Sequence, residues 1–282
     1  MTAVGIVGAG RAGVGLALAL GGAGHDVRLH GRRGKQLPPP LRASWGGDPP
    51  WLAAVDVVVL AVRDDAVADT ALRLASLGAI EPRHVVLHLS GRLDETVLDP
   101  LRASGAALGA LHPLQAIARP EAAPERLRGA LAVLSGDDRA VRTASELARS
   151  VGLVPVTIPG AGKPRYHAAA AIASNYLVVL AAIAERLMVE AGLTPDAAHR
   201  GVQALMSGTL ANVADEGGAA LTGPIARGDA ATVRAHLAVL PPSLREAYRA
   251  LGKVALEVAE LEPERRAAVE AELRAAVQFP NQ

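Results

Sequence analysis

The hydrophobic pattern of the chain changes once along its length. Up to about residue 159, short apolar runs alternate with helical segments, and the runs cover residues 4–7, 25–29, 55–62, 84–89, 106–111, 131–134 and 154–158. The run at 55–62, VDVVVLAV, is apolar at almost every position, which is typical of a central parallel strand buried on both faces. The alternation therefore predicts an α/β fold with a doubly wound, mostly parallel sheet of the Rossmann-like type.

After residue 159 the strand pattern stops. Helical segments are predicted over residues 163–191, 195–215, 229–239, 243–260 and 262–277. Thr194-Pro195 and Glu262-Pro263 put a proline near the first turn of a helix, where its missing N–H costs little. We therefore predict two domains, an α/β domain over residues 1–159 and an all-α domain over residues 160–282. Residues 37–50, rich in proline and glycine, are expected to form a loop.

The composition excludes several classes of protein. Half of the 282 residues are hydrophobic, which suffices for a core without metals or disulfides. A net charge of +1 argues against a nucleic-acid partner, and the lack of cysteine excludes thiolate metal sites, so no metal is expected. The apolar stretch 168–184 is shorter than the ~20 residues of a membrane span and predicts a buried core helix. Since the first residues also lack a signal-peptide pattern, we expect a soluble cytoplasmic protein.

Gly8, Gly10 and Gly13 follow the first strand in G-x-G-x-x-G spacing and lead directly into a helical stretch. In a dinucleotide site the first glycine permits a tight turn and the second lets the backbone approach a pyrophosphate. The third lets the helix pack closely on the strand. The pyrophosphate then lies at the positive end of the helix. The motif predicts a dinucleotide site, and the alternative is a purely structural strand–turn–helix.

The second strand is not followed by an acidic residue. In NAD-binding folds such an acid usually holds the ribose hydroxyls, but here Arg32, Arg33 and Lys35 follow. Guanidinium groups match the oxygens of a 2′-phosphate, so the loop predicts NADP, and the alternative is an ordinary solvated basic loop. The residues expected to contact the cofactor are Gly8, Gly10, Arg11, Ala12, Gly13, Arg32, Arg33, Lys35, Ala61, Val62 and Ser90.

Two polar residues come at the ends of later strands. His112 is a candidate to exchange a proton with a substrate oxygen, because its unperturbed pKa lies near 6.5 and Pro113 stiffens its loop. The alternative is a histidine that hydrogen-bonds loop backbone. Ser90 either bonds the nicotinamide carboxamide or the substrate, or forms a turn. Asp64 or Asp65 is expected to cap the next helix.

The start of the long helix carries a second polar cluster. Lys163 and His167 are four residues apart and hence on one face, and Asn175 continues that face. Lys163 is a candidate to polarise a carbonyl or protonate an alkoxide, and His167 and Asn175 to orient the substrate. The alternative is a charged helix start with a helix-capping or interhelical asparagine. Arg227 is a candidate to hold a substrate carboxylate, while Asp229 is expected to cap the following helix.

These segments together resemble a known family. They are GIVGAGRAG near the start, LSG at 89–91, HPLQ at 112–115, YHAAAAIASNYLV at 166–178 and GPIARGD at 223–229. The chain resembles a predicted oxidoreductase family in which a Rossmann-like NADP domain precedes a helical domain of unknown function. More distantly it is similar to the group with 6-phosphogluconate-dehydrogenase-like helical domains. That group includes ketopantoate reductases, 3-hydroxyisobutyrate dehydrogenases, pyrroline-carboxylate reductases and prephenate dehydrogenases.

The distant relatives imply different site residues. In hydroxyacid dehydrogenases of the group, an asparagine follows the catalytic lysine by four residues, whereas here His167 follows Lys163. In prephenate dehydrogenases a histidine before proline at the end of a Rossmann strand is catalytic, and His112-Pro113 resembles it. Members of the group commonly dimerise through the helical domain, so the resemblance implies a homodimer.

The combined expectation is an NADP-dependent oxidoreductase that reduces a small carbonyl acid, with ketopantoate-like 2-oxo acids first, in a cleft between the two domains. The alternatives are a prephenate-type dehydrogenase and a non-catalytic NADP-binding sensor or scaffold. The expected partner besides a second copy is a small-molecule substrate, with neither nucleic acid nor membrane.

Overall fold

The computed structural model describes residues 1–275, and these divide into two compact units, Met1–Val178 and a second unit that begins at Val179. The first unit contains one eight-stranded sheet in the order β3-β2-β1-β4-β5-β6-β7-β8. The strands are β1 (Ala3–Val7), β2 (Asp26–Gly31), β3 (Ala43–Trp45), β4 (Val57–Leu60), β5 (Val85–His88), β6 (Ala107–Pro113), β7 (Leu131–Gly136) and β8 (Val154–Thr157). Strands β1 to β6 are parallel, β7 pairs antiparallel with β6, and β8 pairs parallel with β7. The predicted mostly parallel, doubly wound sheet is confirmed.

Helices connect these strands and make up the second unit. Those of the first unit are α1 (Arg11–Gly22), α2 (Val67–Ser76), α3 (Ala123–Arg126), α4 (Asp138–Ser150) and α5 (Lys163–Ala171). A π-helical segment, Ile172–Tyr176, joins α5 to α6 (Leu177–Glu190). The remaining helices are α7 (Pro195–Glu216), α8 (Gly223–Ala226), α9 (Ala230–Val239), α10 (Pro242–Val258) and α11 (Pro263–Arg274).

Strand β4 shows why a run without polar residues forms the centre of the sheet. Val57 and Val59 belong to one hydrophobic cluster, and Val58 and Leu60 belong to another on the opposite face. All four side chains are at most 1% exposed. Since successive side chains of a strand point to opposite faces, a strand covered on both sides must be apolar at every position.

Strand β3 lies inside the segment predicted to be a loop, and that prediction is wrong for residues 43–45. Only three residues pair with β2, in the register Leu29 to Ala43 and Gly31 to Trp45, which is too short for a hydrophobic period. The indole of Trp45 lies over Gly31, where an added Cβ would come within 2.5 Å of the ring. Trp51 fills the equivalent space beside Gly5 in β1, at 2.0 Å from an added Cβ.

Of the two predicted helix caps, one is confirmed and the other is wrong. Asp229 accepts a hydrogen bond from the backbone N–H of Thr232 at 3.0 Å, which confirms its capping role. Neither Asp64 nor Asp65 caps α2, so that prediction is wrong. Both lie in a short 3-10 turn over residues 64–66, and the carboxylate of Asp65 pairs with Arg63 at 2.7 Å instead.

The first unit extends past the last strand and includes α5, so its limit at Val178 lies beyond the end of the strand pattern at Thr157. The second unit is helical throughout its described part. Its core comes from α9, α10 and α11 and consists of Val233, Leu237, Leu256, Val269 and Leu273.

The apolar stretch around α6 is not the buried core helix that the sequence predicts. Within the described residues, the helical stretch over 160–190 is long and apolar enough to cross a membrane by length and composition, and none of its most apolar window is buried. Val178 and Val179 are 69% and 51% exposed. The single chain therefore leaves this surface uncovered.

Candidate functional site

The glycine loop lies between β1 and α1 and has the shape that the motif predicts. Gly8 adopts φ +122°, and an added Cβ there would lie 2.3 Å from the carbonyl oxygen of Ala61. At Gly13 an added Cβ would lie 2.0 Å from the carbonyl oxygen of Gly8. Both positions therefore require glycine for close packing. At Gly10, by contrast, no heavy atom lies within 4 Å of an added Cβ, so the space above the loop is open.

The N-terminus of α1 faces that open space without a competing side chain. Gly10 is the N-cap residue, no side chain caps the helix, and no acidic residue lies in its first turn. The first backbone N–H groups of a helix have no partner within the helix, and the helix dipole adds positive potential there. Exposed Arg11 and Ala12 form this first turn. The loop can therefore hold a phosphate or pyrophosphate group.

The basic loop follows β2 at the same edge of the sheet. Arg32, Arg33 and Lys35 are exposed, and none of them forms an ion pair within residues 1–275. Strands β1 and β2 are adjacent and parallel, so their carboxyl ends, which lead into the glycine loop and the basic loop, lie side by side. The three cations are available to bind an anionic group on a ligand held by the glycine loop.

His112 lies at the carboxyl end of β6 and contacts α5. Its Nδ1 is 2.7 Å from the phenolic oxygen of Tyr166, and the two rings meet edge to face with centroids 5.6 Å apart. The structure thereby joins a strand end to a helix that begins 50 residues later. Sequence analysis did not predict Tyr166 as a site residue, although it lies in the segment YHAAAAIASNYLV.

Lys163, the first residue of α5, has a fully buried side chain at 0% exposure. Its Nζ donates a hydrogen bond to the carbonyl oxygen of Ser90 at 2.9 Å. The Ser90 hydroxyl oxygen accepts hydrogen bonds from the backbone N–H groups of Arg92 and Leu93, which is the turn-forming role. Lys163 therefore fixes the turn after β5 to the start of α5.

Gly91 follows in that turn and lies between two imidazole rings. An added Cβ at Gly91 would lie 2.9 Å from Nε2 of His112 and 2.6 Å from Nδ1 of His167. The Nδ1 atom of His167 is buried and has no hydrogen-bond partner among the described residues. Only a residue without a side chain lets both rings come this close to the backbone. Gly91 is a second site residue that sequence analysis missed.

Burial and charge set the protonation states of this cluster. Desolvation, followed by repulsion from the Lys163 ammonium, lowers the pKa of His112 to about 4 and that of His88 to about 4. His88 is satisfied as a neutral ring, because Nδ1 accepts from the Ser90 N–H and Nε2 contacts the Asp94 carbonyl. Desolvation also lowers the pKa of Lys163 to about 8 and raises that of Tyr166 to about 12. At neutral pH His112 is therefore neutral beside a charged lysine.

The structure thus brings together Ser90, His112, Lys163 and His167 of the predicted site, and adds Gly91 and Tyr166. Asn175 is not among them. It lies in the π-helical segment with an exposed side chain, since the helical face drifts by about 40° at each four-residue step. Arg227 belongs to the second unit, at the end of α8, and is exposed.

Comparison with known proteins supports the fold. A structure from Bacteroides fragilis assigned to the NADP oxidoreductases is 20% identical, with a TM-score of 0.74 over 91% of this chain and 98% of that one. A Thermotoga maritima protein is 22% identical, with a TM-score of 0.64 over the same shares of the two chains. Pyrroline carboxylate reductase of Plasmodium falciparum with NADP bound is 14% identical, with a TM-score of 0.60 over 96% and 98%.

Sequence comparison identifies a family whose model matches part of the chain. No curated protein sequence matches the chain. Residues 130–255 match the family described as "Domain of unknown function (DUF2520)", a stretch that runs from β7 into α10 and includes Lys163, Tyr166 and His167. The chain therefore combines a Rossmann-like sheet with a stretch, residues 130–255, that matches the DUF2520 model, which agrees with the resemblance stated from its motifs.

Proposed function

We propose that the protein is an NADP-dependent oxidoreductase that transfers hydride between NADPH and a small carbonyl acid, with a ketopantoate-like 2-oxo acid as the leading substrate. The observation that carries the proposal is the open, uncapped N-terminus of α1 above Gly10, beside the exposed cations of the basic loop. This arrangement suits a pyrophosphate and a 2′-phosphate on one dinucleotide. The Bacteroides fragilis neighbour, assigned to the NADP oxidoreductases, and the Plasmodium falciparum neighbour, which has NADP bound, agree with it.

The cofactor fits the residues present. The glycine loop would hold its pyrophosphate, with Ala61 and Val62 after β4 on the other side of Gly8. Arg32 and Arg33 would hold the 2′-phosphate. When bound, NADPH would supply the hydride for the carbonyl carbon of the substrate, and the carbonyl oxygen would gain a proton that originates from solvent. Ser90 and Gly91 follow β5, the strand that pairs with β4, and would border the reacting end of the cofactor.

His112 is the residue we assign to the substrate oxygen. Its Nε2 faces the turn at Gly91, whereas the Nζ of Lys163 is shielded from solvent and already bonded to the Ser90 carbonyl. Lys163 therefore acts through position and charge rather than by touching the substrate. His167, across Gly91 from His112, is assigned to substrate orientation. Asn175 and Arg227 stay candidates for contacts with the far end of the substrate.

The test is NADPH oxidation by the purified full chain against a panel of 2-oxo acids and cyclic imines, ketopantoate first, together with direct titration of NADPH and NADH binding. Turnover with one member that falls by roughly a hundredfold or more in His112→Ala supports the proposal. His236→Ala is the matched control, since His236 is a tyrosine-bonded histidine of the second unit. Tight NADPH binding without turnover on the panel would instead favour the sensor or scaffold function.

One observation favours a second candidate, a prephenate-type dehydrogenase. His112 is neutral at pH 7, and a neutral imidazole can accept a proton from an alcohol during oxidation. Reduction of NADP⁺ by prephenate, with no oxidation of NADPH by the 2-oxo acids, would establish this candidate and exclude the first.

The proposal also includes a homodimer formed through the helical unit, in the cytoplasm. It is supported by the uncovered apolar side chains of α6 and α7. These include Val179 at 51%, Leu205 at 65%, Leu210 at 53% and Val213 at 48% exposure.

A further inference from the structure

The contact between Tyr166 and His112 has two possible polarities. Either the phenolic O–H donates to Nδ1, or Nδ1–H donates to the phenolic oxygen, and the 2.7 Å distance is compatible with both. The two polarities put the imidazole hydrogen on opposite nitrogens. They therefore decide whether Nε2, which faces Gly91, is a hydrogen-bond donor or a lone-pair base.

Hydrogen-bond satisfaction favours donation by the tyrosine. If Tyr166 donates, the pair leaves only the Nε2–H of His112 without a partner in the described part of the chain. If His112 donates, both the phenolic hydrogen and the Nε2 lone pair are left. Half-buried polar groups find partners where they can, and the arrangement with fewer unpaired groups is the more stable one.

Acid–base chemistry points the same way. A phenol is a weak acid that remains protonated here, because burial raises the pKa of Tyr166 to about 12. An imidazole nitrogen is a far better proton acceptor than a phenol oxygen. The O–H to nitrogen pairing therefore matches the stronger donor with the stronger acceptor.

We propose that Tyr166 is a positioning residue that holds His112 as the neutral Nε2–H tautomer, so that the site presents a hydrogen-bond donor to a carbonyl oxygen beside Gly91. The inference rests on the proposed function and deepens it, because it makes His112 a hydrogen-bond donor to the substrate oxygen rather than a base. A neutral imidazole that donates can stabilise the negative charge developing on a carbonyl oxygen, whereas it cannot take a proton from an alcohol through that nitrogen.

Gly91 lets both imidazole rings approach the backbone after β5. Because it has no side chain, Nε2 of His112 and Nδ1 of His167 both reach the same strip of backbone after β5. His112 is held from one side by Tyr166 at Nδ1 and leaves its other nitrogen at the carboxyl edge of the sheet, where the glycine loop also lies. The ligand class that this edge recognises is a carbonyl compound whose oxygen accepts one hydrogen bond.

The direct test is nitrogen NMR of the full chain with ¹⁵N-labelled histidine at neutral pH, with His112→Gln to assign the resonances. We expect a pyridine-type Nδ1 and a pyrrole-type Nε2 in the unmodified protein. In Tyr166→Phe we expect the two tautomers of His112 to mix. A pyrrole-type Nδ1 of His112 in the unmodified protein would overturn the inference.

The chain contains its own control. Tyr248 contacts Nδ1 of His236 at 2.8 Å in the second unit, in nearly the same edge-to-face geometry. Tyr248→Phe should therefore leave the His112 resonances and turnover unchanged. Tyr166→Phe should lower kcat by roughly ten- to a hundredfold, by analogy with the outer partners that orient metal-bound histidines, and leave the Kd of NADPH unchanged.

Each failure has its own signature. Equal kcat in Tyr166→Phe and the unmodified protein would overturn the inference while the oxidoreductase proposal stands. Failure of the unmodified chain to bind NADPH would overturn the oxidoreductase proposal, and the NMR experiment would still decide the tautomer.

Discussion

A lysine side chain that is completely shielded from solvent is costly, so its position carries information. Lys163 is such a residue, and carboxylates at Glu95 and Asp94 partly offset the desolvation that lowers its pKa. The ammonium retains its charge at neutral pH and bonds one backbone carbonyl. Its charge is also the second cause, after burial, of the neutral state of His112. Lys163 thus sets the electrostatics of the site from a position that a substrate cannot reach.

The basic loop gives a prediction on cofactor choice. Replacing Arg32 and Arg33 with alanine should weaken NADPH binding by roughly ten- to a hundredfold per arginine, the effect of a charge-assisted hydrogen bond, and spare NADH. Titration of both cofactors by calorimetry measures this. Arg142→Ala, which removes an exposed arginine from α4, is the control. Equal losses for NADPH and NADH would contradict the 2′-phosphate assignment.

Local and distant residues differ in how far the sequence predicts them. The roles of Gly8 and Gly13 follow from a turn between neighbouring elements, so spacing alone predicts them. The contact of His112 with Tyr166 joins residues 54 apart, and it depends on where α5 packs against the sheet. The hydrophobic pattern of the sequence does not determine where α5 packs. For the same reason the sequence identifies Gly91 only as a turn residue, since the imidazole rings beside it belong to His112 and His167.

At the scale of elements, long apolar runs predict strands well. A strand buried on both faces is apolar at every position, and the local sequence alone shows this. The three residues of β3 and the π-helical segment are different. The short edge strand β3 is specified by its backbone pairing with β2 and not by a hydrophobic period of its own. The π-helical segment changes the helical register, and a hydrophobic pattern of 3.6 residues per turn does not detect this change.

The uncovered surface of α6 leads to a prediction on assembly. Burying each large apolar side chain contributes about 1.5–3 kcal/mol, so a second copy would gain from covering several of them. Val179→Glu should convert a dimer to a monomer, because it places an unpaired charge in the contact. Sedimentation velocity without detergent measures this.

The control for assembly is Leu72→Glu, which alters a similarly exposed side chain on α2 of the first unit, at 55% exposure. It should leave the dimer intact. A monomeric unmodified chain would contradict the dimer, and a chain that sediments only with membranes would point to a lipid environment for the 160–190 stretch.

At the scale of the whole molecule, the buried histidines make stability depend on pH. His88 and His112 have folded-state pKa values of about 4, below their usual 6.5. The unfolded chain therefore binds more protons between these values, and the free energy of unfolding falls as pH decreases from 6.5 to 4. The shifts correspond to at most about 3 kcal/mol per histidine.

Urea unfolding at about pH 7 and about pH 4.5 tests this dependence. His112→Gln should remove roughly half of the loss that these two histidines cause, since glutamine cannot take up a proton. His199→Gln, at an exposed position on α7, is the control. An unchanged pH dependence in His112→Gln would contradict this, since it would mean that the ring takes up its proton as readily in the folded protein as in the unfolded chain.

The two tryptophans of the chain have an optical consequence. Trp45 is half-buried beside Gly31. An added Cβ at Gly31 would lie 2.5 Å from the indole ring of Trp45 and 3.0 Å from the Cβ of Ala9 in the glycine loop. Trp51 is buried against Gly5, on a strand interior. Reduced nicotinamides absorb at the wavelengths where indoles emit. The chain therefore carries one fluorophore beside its glycine loop and one within its core, and energy transfer from the first to a bound reduced nicotinamide would report occupancy of the glycine loop without any added label.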